Sequence, residues 1–420
     1  MNAVSCRARF RRGRGGTIDR AGFVTAGFCD TVIGLEIPLR NSLTLITLYI
    51  VAFVGFAGFS FLFPVIPLYA ADLGATVAQV GLIVATISYA TAFLLIPFGM
   101  LSDKFGRHRL LLGGLAIFTM APVLYPMATS PLQLIWVRAI HGMAAAAFLP
   151  AAIALVVDLT PEAKRGEAIG WYTASLQLGL MVGPITGGFL AGYFSFDVAF
   201  YSCSAVSLVG LVLIISRLGS LAQRRQVIPA EASSSWRWLG HPFVVAILLA
   251  PMFVAIGSGT IASYIPLYGR GFAITEASAG SIITAMYASS ALLRIPAGRL
   301  SDRFDRKPLL IVGLALSAVA VSLFSFFQGL WEFILIGIAF GIGMGVAMPV
   351  GLAMAADVSS AKARGLSMAI PTCFFQIGLA VGPTAMGFIA QISDFETMFV
   401  ACAATLALGL LILLGLMRHR

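Results

Sequence analysis

Apolar residues dominate this chain in twelve stretches of about 20 residues, separated by short polar segments. An α-helix of that length crosses the hydrocarbon core of a bilayer, so the pattern predicts twelve membrane-spanning helices. The fold class that follows is an all-α membrane protein. In order, the predicted spans cover residues 43–70, 78–100, 110–128, 131–157, 168–193, 197–217, 242–268, 276–299, 309–327, 330–356, 366–391 and 396–417.

The placement of lysine and arginine orients these spans. With the N-terminus in the cytoplasm, all but three of the 27 lysines and arginines fall in cytoplasmic segments. The exceptions are Arg270 in an outer loop and Arg138 and Arg294 inside spans. Cytoplasmic loops carry such an excess of positive charge. We therefore expect a multi-pass protein of a cell membrane, the inner membrane of a bacterium, with both termini cytoplasmic.

The composition excludes a soluble protein. Hydrophobic residues make up 59% of the 420 residues and charged residues 10%, with a mean hydropathy of +0.97. A soluble domain carries about 25% charged residues. The net charge of +10 reflects membrane topology and not nucleic-acid binding. No signal peptide is evident, and the spacing of the five cysteines predicts free thiols.

Polar segments divide the chain into five parts. Two bundles of six spans each are expected between a basic cytoplasmic tail, a cytoplasmic linker and a short cytoplasmic C-terminus. The tail is residues 1–42, the bundles are 43–217 and 242–417, the linker is 218–241, and the C-terminus is 418–420.

The two bundles repeat one sequence. The segment GMLSDKFGRHR at residues 99–109 recurs 199 positions later as GRLSDRFDRKP at residues 298–308, and each copy lies between two apolar spans. The same offset relates Gly81 to Gly280 and other pairs between the bundles. Since each bundle has six spans, the repeat is parallel and predicts two halves related by a pseudo-two-fold axis along the membrane normal. A substrate site is expected between such halves near the midplane.

The doubled loop and the parallel repeat resemble the major facilitator superfamily of transporters over about residues 43–417. The resemblance implies two six-helix halves that rock about a central site. It also implies that the doubled loops latch the cytoplasmic side shut in the outward-open state. The matching positions of this cytoplasmic gate are Gly99, Asp103, Arg107, Asp158, Gly298, Asp302, Arg306 and Asp357.

Physical chemistry allows these residues to form a gate. Glycine lets another helix approach closely, and a carboxylate stabilises the N-terminus of a helix. Arg107 can pair with Asp158, and Arg306 with Asp357, in partly solvated ion pairs that break easily. The alternative is that these charges only set the membrane topology.

The second copy of the loop departs from the first at two informative positions. Asp305 stands where the first copy has Gly106, and Pro308 stands where it has Arg109. We therefore expect the gate in the second half to be weaker or differently paired.

The fifth span contains a glycine-rich motif that resembles one characteristic of the twelve-span drug:proton antiporter branch. Glycines four positions apart allow close helix contact, and a proline frees a backbone carbonyl. The resemblance implies antiport, whereas the alternative is a generic packing kink. The motif residues are Gly179, Gly183, Pro184, Gly187 and Gly188.

Charged and titratable groups inside the spans are candidates for substrate binding or coupling, because such groups are costly in lipid. Arg138 and His141 are three positions apart, on one face of the fourth span. His141 could carry or sense a proton, or it could be a neutral imidazole in place of an amide. Arg294 lies in the eighth span, nearer the cytoplasm, and could either extend its charge toward that face or attract an anionic group. No acidic residue lies clearly inside a span, which argues against a dicationic substrate.

Aromatic and methionine side chains are expected to line the substrate cavity, although any one of them more often faces lipid or fills helix packing. Gln177 and Gln376 are stronger candidates, because a buried amide needs a hydrogen-bond partner. The full set is Phe56, Phe59, Tyr89, Phe148, Gln177, Met252, Phe253, Tyr264, Tyr287, Met344, Met348, Phe374 and Gln376.

The function expected from this pattern is export of small hydrophobic or amphiphilic compounds by alternating access, in exchange for protons. One alternative is a facilitator or proton symporter for a sugar or organic anion. Another is a membrane scaffold or sensor that transports nothing. The expected partners are the lipid bilayer, a small-molecule substrate and protons, for a monomer without enzyme activity, metal, cofactor or nucleic-acid partner.

Overall fold

A computed structural model describes residues 39–217, 242–358 and 364–417. These residues form twelve α-helices, which confirms the predicted all-α fold, and a single 3-10 turn at Glu162–Lys164. The helices are α1 Leu39–Asp72, α2 Val77–Phe105, α3 Arg107–Leu124, α4 Pro131–Leu159, α5 Arg165–Tyr193, α6 Phe196–Ile215, α7 Pro242–Arg270, α8 Glu276–Arg303, α9 Arg306–Leu323, α10 Leu330–Val358, α11 Arg364–Ile392 and α12 Phe395–Met417.

Most predicted spans agree with these helices within a few residues, but α1 begins earlier than expected. It starts at Leu39, so the last residues assigned to the N-terminal tail belong to a helix. The rest of that tail, the linker at 218–241 and residues 418–420 lie outside the described residues.

Ten of the described helices are long and apolar enough to cross a membrane. The other two are α3 and α8. Helix α3 begins with the basic sequence Arg107-His-Arg109, and α8 is rich in serine. Large apolar side chains cover much of the outside, including Phe93 at 80% exposure and Ile392 at 84%. A surface of this kind is stable against lipid and not against water.

The helices begin at recognisable caps, and the repeat preserves one pair of them. Thr76 forms a capping box with Gln79 at the start of α2. Thr275, at the equivalent position, accepts a hydrogen bond from the backbone N–H of Ser278 at the start of α8. Each cap satisfies a backbone donor that has no partner within its helix.

Buried apolar side chains form three clusters that follow the order of the chain. One cluster is drawn from residues 246–417, and the other two from residues 45–214. Contacts between helices of the first six and helices of the last six are made chiefly by α2 with α11 and by α5 with α8. A cavity lies between these two groups of helices.

Candidate functional site

The cavity has a volume of about 280 Å³ and is lined by nine helices. Its walls are mostly apolar, with aromatic rings from α1 and methionines from α10. Apolar walls with a few polar groups are typical of small-molecule sites. The lining residues are Phe56, Phe59, Leu62, Phe63, Val84, Ile87, Ser88, Thr91, Phe118, Arg138, Ala145, Leu149, Leu176, Gln177, Leu180, Pro251, Ser258, Gly259, Ala262, Tyr287, Arg294, Met344, Met348, Pro371, Thr372, Phe375, Gln376, Leu379 and Pro383.

Seven of the thirteen side chains expected at the cavity do line it, and six do not. The six are Tyr89, Phe148, Met252, Phe253, Tyr264 and Phe374. Phe148 and Tyr264 are fully buried between helices, where the Tyr264 hydroxyl donates a 2.6 Å hydrogen bond to the Pro383 carbonyl. These helices are apolar on all sides, so the sequence pattern does not distinguish a cavity face from a packed face.

Arg294 and Gln177 meet across the cavity. The amide oxygen of Gln177, assigned to face the guanidinium, accepts hydrogen bonds from Nε at 3.2 Å and from Nη2 at 3.0 Å. The opposite amide orientation would set donors against donors. Gln177 lies on α5 and Arg294 on α8, so this contact joins the first six helices to the last six.

Arg138 lies on the cavity wall but is bound tightly to backbone. Its side chain is only 2% exposed. Nε donates to the Ile83 carbonyl at 3.4 Å, and Nη2 donates to the Val84 carbonyl at 3.2 Å. Arg138 therefore fixes α4 against α2, and its Nη1 is buried with no hydrogen-bond partner among the described residues.

His141 does not line the cavity. Its ring is fully buried, with Nδ1 at 3.1 Å from the Tyr125 hydroxyl and edge-on contacts to Phe59 and Phe118. Nε2 has no hydrogen-bond partner among the described residues. Tyr125 was not among the residues expected at the site, and a lone tyrosine at a helix end gives no signal in the sequence.

Gln376 lies on the cavity wall, at the position in α11 equivalent to Gln177 in α5. The residue equivalent to Arg294 in the first six helices is Leu95. The polar lining is therefore asymmetric although the helices repeat.

Cross-contacts between the two groups of helices close the cavity at the end where α1 and α7 terminate; we call this the acidic end, after Asp72. A Cβ at Gly81 would lie 2.3 Å from the Pro383 carbonyl, and a Cβ at Gly280 would lie 2.3 Å from the Pro184 carbonyl. Only glycine permits backbones to approach this closely.

A salt bridge reinforces the closure at the acidic end. Arg270 forms a bidentate pair with Asp72, at 2.7 and 3.3 Å, and lies 3.8 Å from Glu276. The pair joins the ends of α1 and α7. Sequence reasoning noted Arg270 only as an exception to the charge rule and did not predict its partner.

The glycine-rich motif of α5 has two sets of contacts. A Cβ at Gly179, Gly183 or Gly187 would meet backbone atoms of α1 at 2.1–2.8 Å. A Cβ at Gly188 would instead lie 2.4 Å from the Glu276 carbonyl in α8. The motif thus packs α5 against α1 on one side and against α8 on the other.

Thr284 of α8 enters the backbone of α5 beside Pro184. Its hydroxyl donates to the Met181 carbonyl at 2.9 Å and accepts from the Ile185 N–H at 3.0 Å. These two backbone groups would bond to each other in a regular helix. Sequence analysis missed Thr284. Pro184 frees the carbonyl of Leu180, one residue before Met181, so the proline signals only that this turn of α5 is irregular.

The opposite, basic end carries the doubled loops and is not packed at its two leading glycines. Apart from its own turn of helix, a Cβ at Gly99 or Gly298 would meet no atom of the described residues within 4 Å. Arg107 forms a salt bridge with Asp158, and its Nη1 donates to the Ala154 carbonyl at 3.0 Å. In the second copy, Arg306 Nε donates to the Ser301 carbonyl at 3.3 Å. The side chains of Asp103, Asp302 and Asp357 lie outside the described part of the structure.

The two loop copies turn by different means. Gly106 has a φ of +98°, a left-handed conformation that favours glycine. Asp305 has a φ of −58° and caps α9, with its carboxylate accepting from the backbone N–H of Lys307 at 3.2 Å. The substitution of aspartate for glycine therefore changes how α9 begins and does not strain the turn.

Comparison with known proteins places this fold in a family. A model of the Major Facilitator Superfamily matches residues 48–271 and 247–420. The chain is 27% identical to the multidrug resistance protein MdtG of Klebsiella pneumoniae, covering 88% of this chain and 92% of that protein. It is 25% identical to the quinolone resistance protein NorA of Staphylococcus aureus, covering 89% and 96%.

Among solved structures, a bacterial homolog of the human lysosomal transporter Spinster, inward-facing and unoccupied, has the same fold. The TM-score is 0.77 at 16% identity, over 90% of this chain and 97% of that chain. The family match covers nearly all of the described helices. This chain belongs to the Major Facilitator Superfamily and is a multi-pass membrane transporter of small molecules, not an enzyme.

Proposed function

We propose that this transporter exports small hydrophobic or amphiphilic compounds in exchange for protons. The observation that carries the proposal is the cavity itself, which has mostly apolar walls, a few polar groups, and closure at one end only. Its relatives MdtG and NorA are named for multidrug and quinolone resistance. Export across a bacterial cell membrane fits these relatives.

The moving parts in this proposal are two six-helix halves, residues 43–217 and 242–417. The close contacts of Gly81 with Pro383 and of Gly280 with Pro184 support a pseudo-two-fold relation, because each residue of one pair lies 199 positions from its equivalent in the other. The halves rock about the cavity in the manner of parallel-repeat transporters.

The distribution of positive charge supports a cytoplasmic location for the basic end and for both termini. In that orientation we infer that the cavity opens toward the cytoplasm, because the close glycine contacts between the two groups of helices lie at the other end and a Cβ at Gly99 or Gly298 would have open space. The cytoplasmic gate forms when these helix ends come together, with Asp103, Asp302 and the Arg107–Asp158 pair beside them.

We assign proton coupling to the polar groups on and behind the cavity wall. The candidates are Arg138 and His141. Arg138 is on the wall, and His141 is three residues away, behind aromatic rings. If His141 carries the proton, His141→Gln abolishes transport driven by a pH gradient and leaves downhill exchange intact. Gradient-driven transport that survives this change removes histidine from the coupling.

The experiment that tests the function is dye transport into proteoliposomes with an acidic lumen. Three dyes share a xanthene ring and differ in charge: rhodamine 123 is a cation, rhodamine B a zwitterion and fluorescein an anion. We expect at least one dye to accumulate faster than in protein-free liposomes with the same gradient, and a protonophore to abolish the difference. If no dye moves, the proposal fails.

The second candidate is a facilitator or proton symporter for an organic anion or a sugar. It is favoured by the two arginines on the cavity wall and by the lack of an acidic side chain among the lining residues that the structure describes. In the same liposomes, a facilitator equilibrates its substrate without a pH gradient and is indifferent to the protonophore. That result would replace antiport with facilitated diffusion.

A further inference from the structure

We propose that the cavity selects amphiphilic carboxylates, and that Arg294 binds the carboxylate in place of Gln177. This inference rests on the proposed function, because it names the substrate class of the same cavity. It departs from lipophilic cations, for which a cavity would need negative charge.

The charges on the cavity wall exclude a cation as the preferred ligand. Arg138 and Arg294 both line the cavity, and none of the described residues that line it is acidic. Between mostly apolar walls these charges act more strongly than in water. A ligand with a negative head gains from them, and a ligand with a positive head is repelled.

The two arginines are not equivalent as anion receptors. Arg138 is 2% exposed and donates to backbone carbonyls of Ile83 and Val84, which cannot leave without breaking the packing of α2. Arg294 is only partly buried, and its guanidinium donates twice to one neutral side-chain oxygen, that of Gln177. A side chain can rotate away, so Arg294 is the arginine that can exchange its partner.

The geometry at Arg294 matches a carboxylate. Nε and Nη2 form one edge of the guanidinium, and both now point at the Gln177 oxygen, at 3.2 and 3.0 Å. That edge takes a carboxylate in a bidentate pair, which is roughly twice as strong as bonds to a neutral acceptor. Gln177 therefore gives Arg294 a neutral acceptor at the same edge, which is a weaker contact than a carboxylate would make.

The adjacent wall accommodates an apolar body at a defined distance from the head group. Tyr287 lies seven residues before Arg294, on the same face of α8 and about 10 Å along the helix. Its ring packs 5.9 Å from that of Phe63 in α1. An aromatic or aliphatic body can lie against these rings while its carboxylate reaches Arg294.

Ligand binding also changes a contact between the two groups of helices. The Gln177–Arg294 bond joins α5 to α8. A carboxylate that takes over Arg294 releases Gln177, and so exchanges a bond between the helices for a bond to the substrate. Removal of the Gln177 acceptor should therefore strengthen carboxylate binding, which a purely structural role for Gln177 would not do.

The test compares three ligands with one apolar body: 4-(1-naphthyl)butyrate, its neutral amide and the corresponding amine. Binding is measured by calorimetry on the full-length protein in nanodiscs. We expect the carboxylate to bind about tenfold tighter than the amide, and the amine to bind weakest. Arg294→Gln should abolish the carboxylate preference while the affinity for the amide changes less than about threefold.

Three further variants keep the result interpretable. Gln177→Leu should tighten carboxylate binding about threefold and leave amide binding unchanged. Gln376→Leu removes the equivalent amide from the same cavity, where Leu95 stands at the position equivalent to Arg294, and it should change carboxylate and amide binding alike, so that the ratio of the two affinities stays the same. Arg294→Lys should keep part of the preference, because it retains the charge and loses the bidentate edge.

Several outcomes would overturn the inference. Equal affinity for carboxylate and amide, or a preference for the amine, contradicts it, as does a carboxylate preference that persists in Arg294→Gln. If the amide binds and a xanthene dye is transported, the proposed function survives such a result. If none of the three ligands binds and no dye moves, both proposals fail.

Discussion

Gly187 and Gly188 are adjacent in α5 but have different roles, because they lie on sides of the helix that contact different helices. A Cβ at Gly187 would lie 2.1 Å from the Phe61 carbonyl of α1, among the first six helices. A Cβ at Gly188 would lie 2.4 Å from the Glu276 carbonyl of α8, among the last six. Gly187 therefore supports the fold of one group of helices, and Gly188 supports closure of the acidic end.

Alanine substitutions should separate these roles. Gly187→Ala should lower thermal stability, since overpacking against backbone costs about 1–3 kcal/mol. Gly188→Ala should change stability less and should increase the population that is open at the acidic end, measured by spin-label distances across that end. Gly170→Ala is the control, because a Cβ there meets nothing within 4 Å. If both motif variants behave alike, the separation is wrong.

At the scale of single residues, the sequence predicted which polar side chains would lie at the site better than it predicted which of them would contact each other. Gln177 was a candidate because a buried amide needs a hydrogen-bond partner. Arg294 was a candidate because a charged side chain within a membrane span is energetically costly unless it has a functional role. Nothing in the spacing indicated that they meet, because they lie on helices distant in sequence. Asp305 was expected only to make the second copy of the gate weaker or differently paired. The sequence did not indicate that this aspartate caps the start of α9.

At the scale of elements, the contact of α5 with α8 depends on the Thr284 hydroxyl, which is inserted between two backbone groups of α5. Pro184 lacks an N–H, and Thr284 bridges the neighbouring Met181 carbonyl and Ile185 N–H. This bridge exists only while α5 and α8 are close at the acidic end. It stabilises the conformation in which that end is shut.

Thr284→Val should therefore favour opening of the acidic end. The loss of two hydrogen bonds, partly offset by direct bonding within α5, should cost about 1 kcal/mol and raise the open population about fivefold. The population is measured from spin-label distances in nanodiscs. Thr186→Val is a matched control, because among the described residues the Thr186 hydroxyl bonds to the Val182 carbonyl of its own helix and to no other helix. An unchanged open population in Thr284→Val would show that the bridge is not part of the closure.

The helices were predictable from two independent signals. Each one is an apolar stretch long enough to cross a bilayer, and positively charged residues lie in the segments between them. The cavity was only half predictable. Helices that are apolar on every side carry no periodic signal to separate lipid, packing and cavity. Tyr264 and Phe148 were expected on the cavity wall for that reason and lie between helices instead.

At the scale of the whole molecule, the structure is tied together at the acidic end and separated at the basic end. The Arg270–Asp72 pair, the Gly81–Pro383 contact and the Thr284 bridge lie toward the acidic end. Gly99 and Gly298 have open space at the basic end. Alternating access requires that the acidic end opens when the basic end closes. The interactions broken at one end are then replaced by interactions formed at the other.

The most direct test of this account is a pair of distances measured in one protein by double electron–electron resonance. Spin labels at Met100 and Arg299 report on the basic end, and labels at Tyr193 and Ile392 report on the acidic end, in a functional variant without the five native cysteines. We predict two populations at each end, with the basic end shortening in the same proportion of molecules in which the acidic end lengthens when a transported ligand and a pH gradient are supplied. Ends that change independently, or a basic end that never closes, would contradict alternating access about this cavity.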